Sequence, residues 1–160
     1  MERNKRIAVF AGSFDPITNG HLDILSRASR IFDEVILLFA INPDKKSRFP
    51  LDKRMEASKE AIRDIPNVKV DQTEGYTVHY CQRVGASFLI RGIRDEKDLA
   101  YEKDLALANK GIDPTIETVF LLSNPIYNHI SSTYIEELSK TGDISPYVPE
   151  SVIRLYKERN

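Results

Sequence analysis

Ile7-Ala8-Val9-Phe10-Ala11-Gly12-Ser13-Phe14-Asp15-Pro16-Ile17-Thr18-Asn19-Gly20-His21 is the stretch on which the fold turns. An unbroken apolar run from Ile7 to Ala11 predicts a strand covered on both faces. Gly12 then allows a tight turn and a close approach of backbone to ligand. Pro16 fixes one dihedral of the loop and lacks an N–H. A helix is predicted to begin near Asn19-Gly20-His21, because Leu22, Leu25, Ala28, Ser29 and Phe32 share one helical face while Asp23, Arg27 and Arg30 point elsewhere. Such a strand-loop-helix unit leaves unpaired N–H groups and a positive dipole end at the helix start, which favours an anion. Gly20 leaves room over that start, and His21 in the first turn is placed to hydrogen-bond a phosphate oxygen.

Outward from this unit the same alternation repeats. Apolar runs at 35–40, 68–70, 87–90 and 118–122 read as further strands, most of them continuous rather than alternating. Helices are predicted at about 52–64, 76–84, 98–109, 132–140 and 150–158. Strand-helix alternation needs crossover connections, so the expected fold is a Rossmann-like α/β domain. Its five-stranded sheet is parallel and doubly wound, with flanking helices, and residues 1–160 form one domain. In such sheets ligands collect beyond the carboxyl ends of the strands. The segments to read for chemistry are therefore Gly12 onward, 42–48, 71–77, 91–95 and 123–133.

Composition bounds the function. With 41% hydrophobic and 29% charged residues in 160, the chain has the make-up of an ordinary globular protein. A net charge of -1 argues against a long nucleic acid as partner, so phosphate must be met by local placement of charge. The lone Cys81, with Val78 and Val84 at helical spacing, reads as a buried small side chain, and no intrachain disulfide is possible. The N-terminal segment Glu2 to Arg6 is charged, but the apolar run after it is too short for a signal-peptide core. No segment approaches a membrane span, and a cytoplasmic location is the expectation.

Among the strand ends, Asn42-Pro43-Asp44-Lys45-Lys46-Ser47-Arg48 reads by composition as a solvated basic turn. Arg91 follows the run Phe88-Leu89-Ile90 at the ligand edge of the sheet, where a guanidinium fork suits phosphate; an ion pair with Asp95 or Glu96 is the alternative. The charged stretch 95–110 reads as the wet face of a helix. Ser131 or Ser132 fits a helix N-cap, and hydroxyls with free amides at a helix start also make a second phosphate cradle.

Gly-Ser-Phe-Asp-Pro followed by Thr18-Asn19-Gly20-His21 resembles the T/HxGH signature of the small nucleotidyltransferases. With Ile90-Arg91-Gly92-Ile93-Arg94, Tyr101-Glu102 and Ile130-Ser131-Ser132-Thr133, nearly the whole chain resembles the phosphopantetheine adenylyltransferase family. That resemblance implies transfer of AMP from ATP to 4′-phosphopantetheine, with His21 and helix-start amides stabilising the transition state. It implies a catalytic set of His21, Lys45 and Arg91, and an acceptor site of Ser13, Lys45, Thr77 and Arg91. ATP is implied to contact Ser13, Phe14, His21, the segment Gly92-Ile93-Arg94, Glu102, and the stretch Tyr127, Asn128, His129, Ile130, Ser131, Ser132 and Thr133. Lys46 and Arg48 keep the surface reading. The chain departs from the family pattern at Phe10, Thr77, Leu99, His129 and Thr133.

The resemblance also implies Mg²⁺ arriving with ATP rather than held by a cage of protein ligands, a homohexamer, and inhibition by coenzyme A. Tyr134 and Ile135 are read as exposed apolar residues suited to an interface between copies. Two rival readings stand beside it. A nicotinate mononucleotide adenylyltransferase would continue Ile-Ser-Ser-Thr-x-Ile into arginine, where this chain has Glu136. A non-catalytic nucleotide-sensing module on the same fold is the other.

Overall fold

A computed structural model describes residues 4–160; the first part of the charged N-terminal segment, through residue 3, lies outside it. Within the described residues the chain runs β1 (Ile7–Gly12), α1 (Asn19–Ser29), β2 (Glu34–Ala40), α2 (Leu51–Ala61), β3 (Val68–Thr73), α3 (Thr77–Val84), β4 (Phe88–Ile93), α4 (Glu96–Ile112), β5 (Glu117–Leu122), a 3-10 turn at Pro125–Tyr127, α5 (Ser132–Ser139) and α6 (Glu150–Arg159). The order across the sheet is β3-β2-β1-β4-β5, and every pairing is parallel. The Rossmann-like doubly wound α/β class read from the sequence is the one found.

The winding reverses at β1. The chain builds outward through β2 and β3, then crosses back to lay β4 on the other side of β1. Ligands of such sheets bind at this switch point, beyond the carboxyl ends of the two strands that flank it. The two seams of β1 differ sharply. Against β2 it is in register from Ile7↔Glu34 through Gly12↔Phe39, whereas against β4 only Ala8↔Phe88 and Val9↔Leu89 pair. Beyond Val9 and Leu89 the strands part, and a crevice opens between their ends.

Continuous apolar runs become strands buried on both faces: Val35, Leu37 and Phe39 enter one core cluster, Ile36 and Leu38 the other. In α1 the buried stripe includes Ile24 as well as Leu25 and Ala28. Cys81 lies fully buried in the second cluster beside Val78, and burial pushes its thiol up to about 11, which keeps it an inert core residue.

The structure corrects three readings. β4 continues past Ile90, so Arg91 lies within the strand rather than after it. β5 is an edge strand with one face open, where Phe120 and Leu122 are exposed despite the apolar run. Ile135, read as an exposed interface residue, is fully buried, and Tyr134 packs against the same core. Most of the exposed large apolar side chains sit instead on α4 and β5: Leu99, Tyr101, Leu107 and Ile112, with Phe120 and Leu122; Ile31, Tyr76 and Ile126 are the others among the described residues.

Candidate active site

A cavity of 350 Å³ fills the crevice between the ends of β1 and β4. Its floor is the β1–α1 loop with Ser13, Phe14, Thr18 and His21; Arg91 and Gly92 of β4 form one side, and Asn124, Tyr127, Ser131 and Ser132 close it from the C-terminal segment.

The loop owes its shape to close packing. Phe14 has a positive φ of 43° and its ring is buried, edge-on to Phe10, His21 and Phe39. A Cβ on Gly12 would sit 3.2 Å from that ring, so the close approach at Gly12 serves Phe14 as well as the cavity.

His21 is fixed by the helix start. Thr18 caps α1 by accepting from the His21 main-chain N–H, and its own N–H donates to His21 Nδ1 at 3.0 Å. An N–H donor aimed at Nδ1 requires that nitrogen to carry the lone pair, which leaves the proton on Nε2. Burial, and then the charge of Arg91, push the imidazole pKa down to about 4. His21 is therefore a neutral donor through Nε2 at neutral pH, on the wall of the cavity.

Arg91 is clamped opposite. Nε and Nη2 donate to the two oxygens of Glu102 at 2.6 and 2.7 Å, and Nη1 donates at 3.2 Å to the Ala11 carbonyl. The guanidinium thus spans the gap where β1 and β4 part. Glu102 is the one buried residue of α4, at 6% exposure. The carboxylate raises the arginine pKa further, so the group stays charged. Neither Asp95 nor Glu96 is its partner: Asp95 caps α4. The same pair also walls a second, mostly apolar cavity of 190 Å³ lined by Thr77, Leu89, Leu105 and Asn109.

Residues 9–138 match the cytidylyltransferase-like family model. A phosphopantetheine adenylyltransferase of Caldanaerobacter subterraneus subsp. tengcongensis is 41% identical over 155 residues, covering 96% of this chain and 97% of that one. Another, of Lacticaseibacillus paracasei, is 46% identical over 150 residues, covering 92% and 90%. The chain belongs to the phosphopantetheine adenylyltransferase family. It is a nucleotidyltransferase with an adenylyltransferase role. A crystal structure of a putative nicotinate-nucleotide adenylyltransferase from Vibrio parahaemolyticus shares the fold, with a TM-score of 0.73 at 20% identity over 97% of this chain and 93% of that one.

Of the residues that the phosphopantetheine adenylyltransferase pattern singles out, the main cavity gathers Ser13, Phe14, His21, Arg91, Gly92, Arg94, Glu102, Tyr127, Ile130, Ser131 and Ser132. Others fall elsewhere. Ile93 is buried in the sheet, and Asn128 offers its carbonyl to Arg94 at 3.4 Å. His129 packs edge-on to Tyr134 and Tyr147 rather than on the cavity. Thr77 lines the second cavity, at the start of α3. Lys45 is exposed on the β2–α2 loop and lines neither of the two cavities. Both carboxylate oxygens of Glu102 face Arg91, so its direct partner is the arginine.

Arg48 is exposed, as the surface reading has it, but its guanidinium is engaged, donating to the Asp15 carbonyl and to Thr133 Oγ1, both at 3.0 Å. Ser131 is the N-cap of α5, while Ser132 Oγ turns away to donate to the Pro16 carbonyl at 2.8 Å. Sequence reasoning missed Asp98 as a cavity residue. It accepts from the main-chain N–H and Nε of Arg94, and the i,i+4 spacing of the pair was the available signal.

Proposed function

We propose that this enzyme moves AMP from ATP to 4′-phosphopantetheine, giving dephospho-coenzyme A and pyrophosphate. The observation that carries the reading is the pairing, on one cavity, of a neutral His21 donor with a clamped Arg91. An oxygen of the acceptor phosphate attacks the α-phosphorus of ATP; the new P–O bond forms as the bond to the bridging oxygen of pyrophosphate breaks. The attacking phosphate is already ionised at neutral pH, so no base is required. Catalysis is then alignment of two anions plus stabilisation of charge on the transferring phosphorus.

His21 meets that need as a donor. Its Nε2–H faces the developing oxyanion while Thr18 holds Nδ1. Arg91 meets the acceptor phosphate, and Arg94 with the starts of α1 and α5 meets the triphosphate. Lys45 reaches the acceptor from its exposed loop, and Thr77 lines the pantetheine arm in the second cavity. Mg²⁺ bound to ATP would offset the charge of the triphosphate, while the cavity-wall carboxylates Asp98 and Glu102 serve to hold Arg94 and Arg91. The same reading extends to a homohexamer, for which the apolar α4 and β5 face is suited, to inhibition by coenzyme A, which carries both halves of the ligand pair, and to a cytoplasmic site of action.

Incubation with ATP, Mg²⁺ and 4′-phosphopantetheine should yield dephospho-coenzyme A by mass spectrometry, with nicotinate mononucleotide as the competing acceptor. Product from the second acceptor alone would replace this reading. Nucleotide binding with no product from either would leave a sensing module.

A further inference from the structure

We propose that Arg48 is a positioning residue that ties the loop carrying Lys45 to the start of α5, an inference that rests on the transfer reaction proposed above. Three segments meet at the β1–α1 loop. The buried Asp15 carboxylate accepts from the main-chain N–H of Arg48 at 2.7 Å and of Phe49 at 3.0 Å. Arg54 closes the same corner, donating to the Phe49 carbonyl at 2.9 Å, the Ser13 carbonyl at 2.7 Å and Ser47 Oγ at 3.2 Å. These anchors fix the end of the β2–α2 loop without using the Arg48 side chain.

That side chain makes a separate connection. Nη1 donates to the Asp15 carbonyl and Nη2 to Thr133 Oγ1, so one planar fork bridges the first loop and the first turn of α5. Both acceptors are neutral oxygens, and the guanidinium charge acts on the Glu136 carboxylate of the same helix. Ser132 adds a second tie from α5 to the same loop through the Pro16 carbonyl.

Lys45 stands just ahead of Arg48, in a turn closed by the Lys45 N–H on the Asn42 carbonyl at 3.1 Å and the Asp44 N–H on Asn42 Oδ1 at 3.0 Å. The base of this turn is the segment held by Asp15 and Arg54. The Arg48 fork sets how the start of α5 stands against that base, and so against the acceptor-side lysine. A lysine at 48 offers one nitrogen in place of a fork and cannot hold both acceptors in plane.

Removing the fork leaves the main-chain anchors intact, so Arg48→Leu should fold. Its KM should rise roughly three- to tenfold for both ATP and 4′-phosphopantetheine, with a smaller change in kcat, as for loss of a charge-assisted hydrogen bond at an exposed site. Thr133→Val should behave alike, the double variant should be no worse than either single one, and Arg48→Lys should fail to restore the wild-type values. In the unliganded protein, hydrogen exchange should quicken in Arg48→Leu both at 42–47 and at 131–134. Additive KM effects, a change confined to one substrate, or exchange altered on one side only would overturn the proposal. If the wild-type protein makes no dephospho-coenzyme A, the reaction reading fails instead, while the exchange experiment still decides the tie.

Discussion

The two long edges of β1 are made by the same residues and do opposite work. Toward β2 the strand is paired along its whole length, and its neighbours Val35, Leu37 and Phe39 are wholly buried. Toward β4 the pairing stops after Val9↔Leu89, and Arg91 reaches into the gap to satisfy the Ala11 carbonyl. A closed seam gives cohesion, while an open one gives room for a ligand and must supply polar partners for the backbone it exposes. Stability and chemistry are thus separated across a single strand.

That separation can be broken at its chemical side first. His21→Ala should lower turnover by about two to four powers of ten with circular dichroism unchanged, as for loss of a key transition-state donor, while stability to melting falls by about 1–3 kcal/mol with the lost capping bond to Thr18. Near-normal turnover in that variant would end the proposed role of His21. The mirror experiment is Leu37→Ala on the closed side. It should cost about 2–5 kcal/mol in denaturant unfolding while the folded enzyme keeps its kcat. A large loss of kcat there would show that the two sides are not separable.

Acidification sharpens the contrast further. The folded pKa of His21 lies near 4, below the ordinary value of 6.5. The unfolded chain therefore takes up the proton first, and the contribution is full above about pH 6.5 and lost as pH falls from there toward 4. An NMR titration of the free enzyme should show the Nε2–H tautomer persisting to pH 5.5; a midpoint near 6.5 would contradict it. The smallest expected effect is at the hinge between the two sides. Gly12→Ala sets a Cβ 3.2 Å from the Phe14 ring, and a loss of about 1 kcal/mol is expected, measured by thermal unfolding.

Much of this arrangement was legible because it is local. Buried parallel strands write themselves as unbroken apolar runs, and the helices between them as stripes, so the fold and the strand ends could be read directly. The floor of the cavity is also local: Thr18 and His21 form one capping box within a single turn. What could not be read depends on distance in the chain. Arg91 and Glu102 are eleven positions apart and meet only because α4 lies back over β4, so the ion-pair alternative read from the sequence named the nearer Asp95 and Glu96. Arg48 and Asp15 are thirty-three apart, which is why a basic loop seemed merely solvated. His129 falls in the stretch read for ATP, yet its packing is set by Tyr147 from beyond α5, which no local pattern shows. The open face of β5 was hidden because an apolar run signals cover without saying whether that cover lies within the chain.

The Arg91–Glu102 pair has one more consequence. It is a party wall: the 350 Å³ and 190 Å³ compartments share it. A tenant on one side that draws the guanidinium toward itself changes the room next door. By thermodynamic reciprocity the second tenant must then alter the hold on the first by the same factor. Occupancy of the two compartments becomes a joint quantity to the extent that a ligand displaces these two short hydrogen bonds.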